Sequence, residues 1–241
     1  MDAAERRARG LRTGFLAAAG GAAVIAGGLA ALSRQHGRTE QTMARLATVS
    51  GATDQEMQKL RDTAMTLGKE LPIAMSDAAN AMEQLAFAGF EAEEAMNAAA
   101  GVADLAVASN MNMAQSARST ASALRMFGLE ADQTVQVTSA MAATFSNSAT
   151  TITELSNALE YVGATATSAG VSLQEISAAV GVLADRGIRA SRAGTALNTT
   201  LQRIVSGSGP AADALERLNL SVEDLTNAEG QIGSLGEVLG T

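Results

Sequence analysis

From Thr39 onward the chain repeats one local instruction, the start of a helix, so often that it leaves room for little else. Thr53-Asp54-Gln55-Glu56, Thr151-Ile152-Thr153-Glu154 and Ser172-Leu173-Gln174-Glu175 each place a hydroxyl three residues ahead of a carboxylate. In such a capping box each side chain accepts from the other residue's backbone N–H, which satisfies two donors that a helix start would otherwise orphan. Asn112 with Gln115 is a looser version. Apolar residues follow at helical spacing: at 57, 60, 64 and 67; at 113, 117, 121 and 124; at 155, 159 and 162; and at 173, 176, 180 and 183. Turn signals fall at Gly89, around Ser109–Asn112, at Gly128, around Asn147–Thr150, at Gly170 and at Gly187. Helix starts therefore recur about every 20 residues, near the range of helical arrays. β-Branched runs are short and lack the period of a half-buried strand. The pattern predicts an all-α fold, an array of short antiparallel helices arranged as helical hairpins.

What fills the space between those helices is unusual. The chain has five Phe, one Tyr and no Trp, and Pro occurs only at 72 and 210. Bulky rings normally fill a deep core; here Ala, Leu, Met and Val suit thin helical layers, spaced at the short end of ~8–10 Å. Met57, Met82, Met96 and Met141, among 11 methionines, can fill irregular gaps in such layers. A methionine-rich partner groove is the alternative, which the helical spacing of these residues disfavours.

The absence of cysteine excludes a disulfide framework, thiolate zinc sites and a cysteine nucleophile. Net charge is −8, yet residues 1–38 hold six arginines against Asp2 and Glu5, so the remainder is more acidic than the whole. An acidic body is a poor nucleic-acid binder because phosphate affinity needs cationic contacts, and no specific nucleic acid is expected.

Residues 1–38 form a basic lead-in followed by an Ala/Gly-rich apolar helix. Thr13 to Ser33 carries no charge and lies between Arg12 and Arg34. As a helix it is long enough to cross a bilayer core of ~30 Å. Its strong hydrophobes are few, Phe15, Leu16, Val24, Ile25, Leu29 and Leu32, so membrane insertion would be marginal. Three readings compete: a secretory signal without a clear cleavage site, a weak transmembrane segment, and an oligomerising helix whose small residues (Ala18/Ala22, Ala23/Gly27) allow close packing.

The stretch Ala184–Val205, ADRGIRASRAGTALNTTLQRIV, holds Arg186, Arg189, Arg192 and Arg203 against Asp185 alone, whereas no base lies between Arg125 and Asp185. Gly187 breaks one apolar-periodic segment, and a second is expected at once, with Ile188, Ala193, Leu197, Leu201 and Ile204 at helical spacing. Gly194 sits inside that second helix, where Gly costs roughly 1 kcal/mol relative to Ala, so close approach of another helix explains it better than local preference. Arg186, Gly187, Arg189, Arg192 and Gly194 are thus candidates for partner docking or helix contact. An ordinary helix corner with solvated arginines fits as well.

GIRASRAGTALNTTLQRI also resembles a G-I-x-x-x-x-A-G-T-A-L signature that closes the core region of tape-measure proteins from tailed phages. MEQLAFAGFEAEEAM, ALRMFGLEADQ, ATFSNSATTITELSNALEYVG and AGVSLQEISAAVGVLADRGI fall in the family's order, and together the pieces cover roughly Met43 to Val205. The resemblance implies a structural virion protein that occupies the tail lumen, helps nucleate the tail tube and sets tail length. It implies tail-tube, tail-tip or baseplate proteins and tail assembly chaperones as partners, with copies of the chain itself in the lumen. Release at genome ejection would then bring the apolar segment to the host membrane. The location implied is the virion tail, and the host cytoplasm during assembly. A membrane-anchored or cytosolic helical adaptor is the alternative.

The organisation expected is a lead-in and apolar helix at 1–38, a helical core domain at 39–205, and a linker with short helices at 206–241. Members of that family continue as long helices, so a missing or separate C-terminal part is expected beyond Thr241. Nothing points to catalysis. His36 has no second histidine to share a metal, Glu91, Glu93 and Glu94 sit at a helix start where acids favour the dipole, and no phosphate loop or esterase elbow is present. No enzyme activity, cofactor or metal is expected.

Overall fold

In the computed structural model the described residues are 37–208, Arg217 and Ile232. Residues 37–50 are helical (α1), followed by α2 (Asp54–Glu70), α3 (Met75–Phe87), α4 (Ala92–Ser109) and α5 (Met113–Phe127). A single 3-10 turn at Ala131–Gln133 leads into α6 (Thr134–Asn147), then α7 (Ile152–Ser168), α8 (Leu173–Asp185) and α9 (Ser191–Val205). Among the described residues there is no strand, and the array is all-α.

The helix starts are where the capping chemistry puts them. Thr53 and Glu56, Thr151 and Glu154, and Ser172 and Glu175 form reciprocal capping boxes at the N-termini of α2, α7 and α8. The Glu56 carboxylate accepts from the Thr53 N–H at 2.7 Å, and that bond is the main reason its pKa lies below the ordinary value. Asn112 Oδ1 accepts from the Gln115 N–H at 2.8 Å to open α5. Glu91 caps α4 through its pairing with Glu94, and Glu93 and Glu94 lie in the first turn.

The helix ends are equally local. At Gly187 (φ +83°) the N–H of Gly187 donates to the Ala184 carbonyl, and that of Ile188 to Leu183. This is a Schellman motif, in which the left-handed residue is nearly free for Gly and costly for anything with a Cβ. The same pair of bonds closes α3, α4, α5 and α7, and the residue after each turn (Phe90, Met111, Leu129 and Val171) packs onto the core.

Hydrogen bonds fix how the helices are stacked. Gln115 joins Thr153 at the start of α5 and α7 (2.9 Å), while Thr167 reaches the Met126 carbonyl at their ends (3.1 Å). Helices α5 and α7 therefore run parallel. The chain returns between them through α6, whose 14 residues span about 21 Å, close to the length of its neighbours. Thr165–Asn198 (2.6 Å) aligns α7 with α9, and Ala149 N–H to Asp185 (2.7 Å) aligns the ends of α6 and α8. Consecutive helices reverse direction, but the main packing lies between helices two apart. The result is two rows back to back: α3, α5, α7 and α9 in one, α4, α6 and α8 in the other.

Two apolar clusters run along the array. One joins Met43, Leu46, Leu60, Met82 and Val102; the other joins Leu124, Met141, Leu155, Leu159 and Ile176. Half-buried Phe90 and Met111 touch both. Met82 and Met141 are fully buried and Met57 and Met96 pack at the edge of the first cluster, so these methionines fill the core. Ile232 adds to the second cluster and donates its N–H to the Ala169 carbonyl at 2.6 Å. Glu83 is buried on α3 and bonded by Arg45 from α1 at 2.9 Å.

Removing a cap should show in stability alone. Thr151→Ala leaves a start of α7 uncapped and should cost about 1 kcal/mol in urea unfolding, with helical content by circular dichroism unchanged in native buffer.

Candidate functional site: the corner between α8 and α9

The corner is built by three residues with no polar side chain to fix it. Gly187 ends α8, and half-buried Ile188 follows it into the second cluster. Ala190 then turns at φ +50° and ψ −135°, as the N-cap of α9 without any side-chain hydrogen bond. Such a conformation costs about 1–3 kcal/mol in a residue with a Cβ, and it persists only where packing demands it.

The demand comes from Gly194. A Cβ built there would fall on the Ala158 carbonyl of α7 and lie 2.9 Å from the Tyr161 Cβ. The backbone of α9 thus rests directly on α7. Ala193 and Leu201 are buried on the same side, and Leu197 and Ile204 are half-buried. Helix α9 itself starts at Ser191, three residues later than its apolar spacing predicts. The discrepancy is physical: Ile188 is the apolar residue that closes the Schellman turn of α8, not the first apolar residue of α9.

The arginines occupy the opposite side. Arg186, Arg189 and Arg192 are exposed, and among the described residues none of them forms an ion pair. Asp185, the neighbouring carboxylate, is engaged instead with the Ala149 N–H. Arg192 and Arg203 line a shallow groove along α9 with Tyr161, Thr195 and Thr199. Tyr161 is 54% exposed, and sequence reasoning did not single it out. Its signal was present: the one tyrosine of the chain sits beside Glu160 on the solvent side of a periodic helix.

The structure therefore splits the five candidates. Gly187 and Gly194 shape the corner, whereas the three arginines are free for something outside it. Phe15, Leu16, Val24, Ile25, Leu29, Leu32 and His36 lie outside the described residues. Among the described residues no group of three or more His, Asp or Glu side chains could hold a metal ion, and no helix is long and apolar enough to cross a membrane.

The sequence pattern of the phage-related minor tail protein family matches residues 61–241, which contain the whole corner and both rows. The chain belongs to that family. Over 148 residues, 61% of the chain, it is 39% identical to the tape measure protein of Pneumococcus phage Dp-1. It is 31% identical over 148 residues to the probable tape measure protein of Escherichia phage P2. The chain spans only 13% and 18% of the length of these two relatives. No solved structure matches it.

In this chain the exposed arginines should be dispensable for folding. Changing Arg186, Arg189 and Arg192 together to Ala should move the unfolding free energy by no more than about 0.5 kcal/mol. A much larger loss in denaturant titration would mean that they hold the corner together.

Proposed function

We propose that the chain is the compact helical part of a tail tape-measure protein. The observation that carries this reading is the 39% identity to a named tape measure protein across 61% of the chain.

A ruler needs extended chain, because a helix gains ~1.5 Å per residue along its axis. The two-row array folds its chain back on itself, so it is not the ruler. It serves as a terminal plug or docking domain in the tail lumen, where it meets copies of itself and tail-tube, tail-tip or baseplate proteins. Tail assembly chaperones hold it in the host cytoplasm before the tube closes. The exposed arginines of the corner offer charged contacts to an acidic tail component. Thr13–Ser33, a segment of mostly small residues outside the described residues, reaches the host membrane on release, when arginines on both sides of it can meet anionic headgroups at about 1 kcal/mol each.

The test is genetic and structural. A phage whose gene is interrupted before codon 43 should give no tails, or tails of scattered length, in electron micrographs of lysates. Complementation in trans should restore a single length. Uniform tails of normal length from the interrupted gene would overturn the assignment.

A further inference from the structure

The two rows differ in charge in a way that the linear sequence conceals. Between Lys69 and Val205 every basic residue lies on α5, on α9 or in the turn that joins α8 to α9. Helices α4, α6 and α8 carry none. Their acids run from Glu91 to Asp104, through Glu130 and Asp132 ahead of α6, to Glu175 and Asp185, and all are exposed or half-exposed.

The outer faces of the rows also differ in shape. On the α3–α5–α7–α9 side, Phe87 and Tyr161 stand 63% and 54% exposed, a large fraction for rings in a chain with so few. Arg118 and Arg125 share a groove of about 400 Å³ with Phe87, and Arg192 and Arg203 share another with Tyr161. This face presents rings framed by guanidinium groups. Its surface acids are Asp77 on α3 and Glu154 and Glu160 on α7, of which Glu160 lies in a groove, and α5 and α9 carry none.

The α4–α6–α8 side has the complementary character. Val107, Val135 and Val182 are 41%, 58% and 62% exposed. Between α6 and α8, Ala140, Ala143, Gly181 and Val182 line a groove of about 410 Å³ with Asp185 at its edge. A smaller one between α4 and α6, about 220 Å³, is lined by Gly101, Ala108 and Val135 beside Asp104. These are apolar slots bordered by carboxylates.

We infer that the ring-and-arginine face of one copy docks on the valine-and-aspartate face of a second copy. Charge complementarity selects this occupant: the chain carries both the arginines of α5 and α9, helices without a single acid, and the row of α4, α6 and α8, which carries acids and no base. Because two different patches meet, the contact is heterologous, so copies add head to tail and either close a ring or extend as a stack. Aromatic and arginine residues are the types that concentrate binding energy at interface centres. The contact supplies surfaces for the self-association proposed above and rests on that reading for its setting. Its test in solution can fail while tail assembly stands, and the reverse.

Two variants of the full chain separate the faces. Arg118→Glu/Arg125→Glu/Arg203→Glu disables the basic face and leaves the acidic one. Asp104→Arg/Val135→Arg disables the acidic face and leaves the basic one. All five residues are exposed, and equal circular dichroism confirms folding of each variant. A tagged arginine variant should capture the aspartate variant as it captures wild type. Capture of its own untagged copy should drop roughly tenfold or more, because like charges then oppose across the contact. Raising salt toward 1 M, where the Debye length falls to about 3 Å, should weaken the productive pair. Light scattering of the mixture should show a discrete 1:1 species. Equal capture of every pair would overturn the inference, since self-association would then run through another part of the chain. No capture of the aspartate variant would overturn it as well.

Discussion

The array depends on helices that close on one another at glycines. Four helical glycines face a helix two positions away: Gly101 of α4 meets Thr138 of α6, Gly163 of α7 meets Met126 of α5, Gly181 of α8 meets Ser148 just beyond α6, and Gly194 of α9 meets Ala158 of α7. Gly194 meets a backbone carbonyl and is the tightest of them, whereas the other three meet side chains. Helices that approach this closely exclude large side chains from their interface, which is why Ala dominates the buried positions and rings are nearly absent from the core. The scarcity of aromatics is therefore a consequence of the packing, not a sign of a weak core. The energy comes from many small contacts, each well below 1 kcal/mol and together large.

This geometry also frees the outer faces. A side chain that cannot enter the narrow space between neighbouring helices of a row must point to solvent, and Phe87, Tyr161 and the arginines of α5 and α9 do so. Alternation of direction along the chain then sorts residues by helix parity: every second helix lands in the same row. Between Lys69 and Val205 the bases fall on α5, on α9 and in the turn before α9, so one row carries all the arginines of that span and the other row carries acids alone. Membership of a tail protein family gives such polarity a setting in which one component stacks against the next.

The helix ends were legible because their chemistry is local. A hydroxyl and a carboxylate three apart close a ring of bonds within one turn, so Thr53, Thr151 and Ser172 could be read directly. Turns at Gly89, Gly128, Gly170 and Gly187 follow from the left-handed residue that each requires. The break at Leu71–Ala74 carried its signal in Pro72, which drives Leu71 out of the helical region, and was missed because it has no glycine and Ala74 caps α3 without a side-chain bond. Ile188 was misplaced into α9 because the apolar residue that closes one helix has the spacing expected of the next. Row order and parallel pairing were out of reach. They depend on which glycine meets which helix, and that is set by tertiary packing rather than by spacing along the chain.

The direct measurement is the sign of one free-energy change. In an ordinary helix interior Gly→Ala stabilises by up to about 1 kcal/mol, through backbone entropy alone. At Gly194 the new methyl would meet the Ala158 carbonyl, and α9 would have to move off α7. Urea unfolding of Gly194→Ala should therefore show a loss of about 1–3 kcal/mol, the usual cost of overpacking a close contact. A variant as stable as the parent, or more stable, would contradict the account, because α9 would then not rest on the backbone of α7.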